Sequence, residues 1–191
     1  MSTRSFIARQ IDDDTYRTIY CHMDGYLTYN GALLLDCYNT PEKVDELLNL
    51  GDLSFLTSKL NPDPSKPHSF DYDMRQEGVT VAYGRDRGEK NTGAVDLPME
   101  YLQRNARVMA YCYVFTKDNE WKYFKGGMSD KTLKDVKTDV DREYSKYGIS
   151  QRPEGYYGFL NEEIAESMKA EMNESIADIQ DDNNLETIEH S

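Results

Sequence analysis

The chain lacks any long apolar run. Its longest uncharged apolar stretch covers residues 32–35, whereas a bilayer span needs roughly 20 such residues. No charged-then-apolar leader opens it. These two absences predict a cytoplasmic protein that neither enters a membrane nor carries a secretion signal. Cysteine is scarce and odd in number: Cys21, Cys37 and Cys112 show no CxxC spacing. Neither a disulfide framework nor a zinc knuckle is implied, and reduced, mostly buried thiols are expected. Basic residues are in the minority, 22 Lys and Arg against 35 Asp and Glu, for a net charge of −13. That balance argues against direct nucleic-acid binding through a broad basic face and favours a basic partner.

The signature motifs of several enzyme classes are missing as well. No GxGxxG, GxxxxGK[ST], HExxH or GxSxG occurs, so dinucleotide, P-loop, zincin and nucleophile-elbow readings have no support. Cys21 and His22 are adjacent, and adjacent strand residues point to opposite faces, so they do not form a dyad. His68 falls in a loop and His190 in the C-terminal tail, and no three-ligand metal site emerges. No catalytic residue, metal or cofactor is assigned, and the question of enzymatic activity stays open.

What is present is tyrosine. With 15 Tyr and 6 Phe in 191 residues, against an apolar share of only 38%, the core is expected to be rich in aromatics. A chain of this length suits one domain followed by a tail. The pattern predicts an α+β fold, a small and mostly antiparallel sheet packed with helices, over residues 1–160. An acidic amphipathic helix over 161–180 and an aperiodic, disordered tail over 181–191 follow it. Residues 161–191 carry ten acidic side chains and one Lys, leaving the first 160 residues at only −4.

Several elements announce themselves. Residues 5–10 and 16–22 read as a hairpin turning at Asp12, Asp13 and Asp14. Asn30 is placed to cap a short helix over 31–38, with Leu33, Leu34 and Cys37 facing the core. The strongest helix signal is Thr40 as N-cap, Pro41 in the first turn, Val44, Leu47 and Leu48 on one face, and Gly51 at the end. Residues 61–78 have no sustained period and read as a long surface loop. A strand over 79–83, a charged turn over 84–89 and a short helix over 98–105 come next. Residues 107–115 and 120–125 form a hairpin through a four-residue turn, with Trp121 on its buried face. Leu133, Val136, Val140, Tyr144 and Tyr147 trace a helical stripe over 131–147. Leu160, Ile164, Met168, Met172, Ile176 and Ile179 trace the last one, which either lies back on the sheet or pairs with a second copy as a homodimer.

Three clusters carry candidate chemistry. His22 and Asp24 sit two apart at a strand end, and so on one face, where they would share a metal or a proton; the alternative is a structural turn. Arg85, Asp86 and Arg87, with Glu89 close by, follow a strand; two arginines flanking a carboxylate grip a phosphate, or else pair on the surface. Arg4 joins either picture. Glu162, Glu163, Glu166, Glu171, Glu174 and Asp178 line the last helix, where they either imitate nucleic-acid phosphates toward a basic groove or are simply solvated.

The segments Ser2-Thr3-Arg4-Ser5, Ile19 to Tyr26 and Val79 to Glu89, with the hairpin from Tyr111 to Phe124, resemble a family of small phage and prophage accessory proteins. The resemblance spans about residues 1–125 and implies a phage-derived protein in a bacterial cytosol, without implying any chemistry. Two functions are weighed on this basis. One is a binding protein that interferes with a host factor, of the anti-CRISPR or anti-restriction kind. The other is a binder or hydrolase of a phosphorylated small molecule or nucleotide, using Arg4, His22, Asp24, Arg85 and Arg87.

Overall fold

The computed structural model describes residues 2–154, 156–158 and 160–189, with side chains along the last helix as far as Asp182. The expected first hairpin is present: β1 (Ser5–Asp12) and β2 (Thr15–Cys21) pair antiparallel with Ile7 opposite Ile19. A five-residue π turn, Leu27–Gly31, runs on into α1 (Ala32–Cys37). Asn30 caps nothing; it is fully buried, and its amide donates to Ser5 Oγ and Cys21 Sγ.

Helix α2 (Pro41–Asn49) begins as its sequence demands, with Thr40 Oγ1 accepting from the Lys43 N–H at 3.3 Å. It is followed by Gly51 at φ +80°. Strand β3 (Leu53–Phe55) joins β2 in parallel at Cys21 and Leu53. The long loop follows, interrupted by one tight turn at Tyr72–Met74 and stitched at its base by a bridge between Lys59 and Val79.

The segment after Gly78 departs from its sequence pattern. The strand is only β4 (Val81–Ala82), and the charged turn is helical: α3 (Tyr83–Arg87), closed by Gly88 at φ +75°. The reason lies in Asp86, whose carboxylate reaches back to the N–H of Ala82, the residue that caps α3. Strand β5 (Val95–Leu97) was not legible; it is short, largely exposed and pairs with the first half of β2. Helix α4 (Met99–Asn105) matches expectation.

Strands β6 (Tyr111–Phe115) and β7 (Trp121–Lys125) make the second hairpin, and β6 lies parallel to β1 with Tyr113 beside Ile7. Residues 131–135 are not helical. Lys134–Asp135 is β8, paired with β7, and α5 (Val136–Ser145) starts where Asp135 accepts from the Thr138 N–H at 3.0 Å. Leu133 therefore matched the helical period by coincidence and packs on the other face of the sheet.

The last element, α6, covers Glu162–Glu189. It continues through 181–189, where the lack of periodicity predicts a disordered tail. No Gly or Pro follows Gly158, so nothing in the covalent chain stops the helix. His190 and Ser191 lie outside the described residues.

The sheet order is β4-β3-β2-β1-β6-β7-β8, with β5 also on β2. Five of the seven strand pairings are antiparallel, and the fold is α+β. One face of the sheet carries Ile7, Ile19, Leu53, Tyr113, Phe115 and Trp121 against α1, α2 and α5. The other presents Ala8, Tyr16, Cys112, Val114 and Phe124 to Leu102 and Ala106. Trp121 is buried as expected, its indole N–H donating to the Tyr38 carbonyl at 2.8 Å.

Candidate functional site

Strand β2 stops at Cys21, so His22 and Asp24 lie beyond it, and Asp24 adopts the left-handed conformation at φ 55°. The alternation that would place both on one face ends before it reaches them. His22 Nδ1 lies 2.6 Å from the Tyr20 hydroxyl, whereas Asp24 accepts from the Tyr26 hydroxyl at 3.1 Å. Among the described residues no hydrogen bond joins His22 to Asp24. Arg4 is exposed, and its charge acts on Tyr20, whose hydroxyl burial pushes up while Arg4 draws it down.

The paired-arginine clamp does not form either. Arg85 turns inward, donating to the carbonyls of Leu60 at 2.7 Å and Thr80 at 2.8 Å, and gripping the Asp86 carboxylate with two further bonds. These bonds tie the long loop to β4 and commit most of the guanidinium N–H groups, although the side chain stays 26% exposed. Arg87 points elsewhere, 3.3 Å from Glu89 and 4.9 Å from the centre of the Phe70 ring.

Asp86 is the centre of a buried polar knot. Its side chain is 4% exposed and that of His68 is 3% exposed, with His68 Nε2 3.5 Å from the carboxylate. His68 Nδ1 accepts the Gln76 N–H at 3.0 Å, which assigns the ring proton to Nε2, facing Asp86. Nδ1 is thus committed to holding the loop, while Nε2 is buried facing the carboxylate without a hydrogen-bond partner among the described residues. Burial pushes the Asp86 carboxyl up, but the Arg85 guanidinium and the Ala82 N–H outweigh it and hold it below the usual carboxylate range.

A cavity of about 1020 Å³ lies elsewhere, between α1, α2, α5 and the segment that carries Arg152, Glu154 and Tyr157. Its keystone is Arg152, whose guanidinium takes both oxygens of Asp36 at 2.7 and 2.8 Å, reaches Asp141 at 3.1 Å and lies over the Tyr144 ring. Cys37 opens onto this cleft, with its sulfur 3.1 Å from the Tyr157 hydroxyl. Lys43 and Lys59 line it too, but so do Glu77 and Glu154, and the charges balance.

Burial pushes all three thiols up, Cys21 to about 11. A thiol-reactive dye at neutral pH is therefore expected to label one cysteine slowly in the native state, Cys37, and the other two only on unfolding. Fast labelling of any thiol would contradict this arrangement.

Helix α6 is anchored at one end only. Ala165 and Met168 are buried against the body, with Leu160 and Ile164 packed beside them. Every residue from Asn173 to Asp182 is exposed, including Ile176 at 51% and Ile179 at 61%. Docking on the body thus covers the first half of the apolar stripe and leaves the second bare. Glu162, Glu163, Glu166, Glu171, Glu174 and Asp178 all face solvent, and among them only Glu166 meets a described cation, Lys169 at 3.0 Å.

Among the described residues no three His, Cys, Asp or Glu side chains converge as a metal would require, and no helix is long and apolar enough to cross a membrane. Comparison with protein-family models, with curated proteins and with solved structures finds no match to this chain. The sequence reading missed Arg152 and the knot around His68. The one local hint for Arg152 is its place before Pro153, as the single cation of 147–160 in a stretch broken by glycines.

Proposed function

We propose that this chain is a binding protein of the phage accessory type, which interferes with a bacterial factor by presenting α6 to a basic groove in that partner. The observation that carries the reading is the bare second half of α6. A helical segment with so little tertiary packing, where among the described residues only Ser175 and Ile176 face the body across a cleft, is marginal in water, because most helical stability in proteins comes from a packed face. This one is further loaded with like charges one turn apart, Glu174 with Asp178 and Asp178 with Asp182, which repel. A cationic groove with an apolar floor relieves both defects, pairing the carboxylates and covering Ile176 and Ile179. A groove that normally holds nucleic-acid phosphates has that chemistry, which favours the host-defence reading over the small-molecule one, since most of the Arg85 donors are already engaged by Leu60, Thr80 and Asp86.

Ending the chain after Met172 tests this. Ala165 and Met168 remain, so the melting temperature is expected to fall by no more than about 2 °C, as for changes outside a packed core. Capture of a nucleic-acid-binding protein from bacterial lysate should be lost in the shortened chain. In the full chain, capture should be competed away by duplex DNA and by high salt. Capture that survives the truncation, or that DNA leaves unaffected, overturns the proposal.

A further inference from the structure

A second cavity, about 430 Å³, is wedged between the ends of β6 and β7, α5 and the π turn. Its size lies within the range of small-molecule sites. Three tyrosines from distant parts of the chain, Tyr26, Tyr111 and Tyr123, line it. Behind Tyr111 stands Tyr113, fully buried and stacked on it at 5.8 Å with the rings 8° apart, while Tyr123 leans on both. Tyr113 is fixed in turn by donating its hydroxyl to the Gly25 carbonyl at 2.8 Å. Tyr111 itself is half-buried, so its ring is a partly open platform on a rigid backing.

The charges at the rim do not cancel. Asp139 accepts from the Tyr123 hydroxyl at 2.6 Å and pairs with Arg142 at 2.7 Å, and Glu143 pairs with Lys146 at 2.8 Å. Both lining carboxylates thus have a cationic partner, although the Glu143 charge still reaches Tyr111. Lys125 and Lys134 make no ion pair among the described residues, and the Lys125 ammonium rests 5.9 Å from the centre of the Tyr111 ring. In a chain of net charge −13, a concave aromatic site with two ammonium groups outside any ion pair among the described residues stands apart from its surroundings, although Lys134 also acts at longer range on Asp130. The adjoining backbone is the π turn, a form used sparingly and found frequently at functional sites. Tyr144 pins it by donating to the Thr28 carbonyl at 2.9 Å.

We propose that the cavity lined by Tyr26, Tyr111 and Tyr123 and rimmed by Lys125 and Lys134 binds a flat aromatic anion of the nucleoside monophosphate class. The base stacks on Tyr111, taking the place that Lys125 now holds over the ring. The phosphate takes the two ammonium groups. This site is separate from α6, so either reading can fail without the other.

The test is isothermal titration of the full-length chain with adenosine monophosphate, adenosine and inorganic phosphate in turn. The nucleotide should bind more tightly than either fragment. Tyr111→Leu should weaken nucleotide and nucleoside alike by at least about fivefold, the lower end of what one base–aromatic stack contributes. The double variant Lys125→Ala/Lys134→Ala should weaken the nucleotide by about tenfold, in keeping with charged hydrogen bonds, while sparing adenosine. Both lysines are at the rim, so this variant keeps the test decisive even if Tyr111→Leu fails to fold. The proposal is overturned if no saturable nucleotide binding appears at millimolar concentration. It is equally overturned if phosphate alone binds as well as the nucleotide, or if the lysine variant binds the nucleotide unchanged.

Discussion

Gly126→Ala is expected to destabilise the chain by at least about 4 kcal/mol, in the extreme tail for single substitutions. A Cβ at this position would lie 1.5 Å from the Met109 carbonyl oxygen and 2.0 Å from that of Ala106. Both are backbone atoms. Neither can swing aside as a side chain would, because the Met109 N–H is bonded to the Ala106 oxygen at 2.9 Å and the Gly126 N–H to the Ala110 oxygen at 3.0 Å. The turn after α4 and the end of β7 would have to part. Gly93→Ala is the matched control: its Cβ meets nothing within 4 Å, and a shift within about 0.5 kcal/mol is expected. Urea unfolding of the two variants reads the difference directly, and a Gly126→Ala chain as stable as its control would mean the close approach is wrong.

The second large effect is expected at Asp86. Replacing it with Ala leaves Arg85 without its bidentate partner, the Ala82 N–H without an acceptor and the His68 ring facing an empty space. Removing one partner of a fully buried charged pair costs roughly 3–5 kcal/mol, and the loss here falls toward or below the lower end because the Arg85 side chain is 26% exposed and keeps its two carbonyl bonds. The same carboxylate gives a pH signature. Because the folded state holds its carboxyl below the usual range, folding favours the ionised form. Its contribution is complete above the unfolded value of about 3.9 and is lost as pH falls through the lower folded value. Wild type and Asp86→Asn should therefore differ by a constant amount from neutrality down to about pH 4, and converge only below it. Melting temperatures measured against pH decide this, and a gap that closes near pH 6 would assign the stabilisation to another group.

These two residues show where sequence reading succeeds and where it stops. Helix α2 was legible because Thr40, Pro41, its apolar stripe and Gly51 all lie within a dozen residues and act locally. Both hairpins were legible for the same reason. The strand and charged turn after Val79 were misread because Asp86 bonds to Ala82 and Arg85 reaches Leu60, 25 residues back. Distance along the chain hides such contacts from any period. Arg152 is more extreme, since its main partner Asp36 lies 116 residues away. Among the proposed site residues, the six acids of α6 were legible as a charged face, and their exposure follows from the helical period. His22 and Asp24 part because β2 ends at Cys21 and Asp24 itself turns left-handed, which no alternation rule anticipates. The tyrosines around the smaller cavity were legible as strand residues, but nothing in their spacing tells which ring is left uncovered.

The ends of the sheet carry a consequence of their own. Its outer strands β4 and β8 are two residues long, and β5, the other unflanked strand, is three. A ladder so short exposes too few free N–H and C=O groups to template another strand. The aromatic, β-prone segments that form β6 and β7 would be fibril-forming if they stood at a margin, but here β6 is paired along its whole length by β1 and β7, and β7 is capped at Lys122 and Tyr123 by β8. The native chain should therefore resist strand-by-strand polymerisation at high concentration, and fibrils should form only after β8 has peeled away from β7.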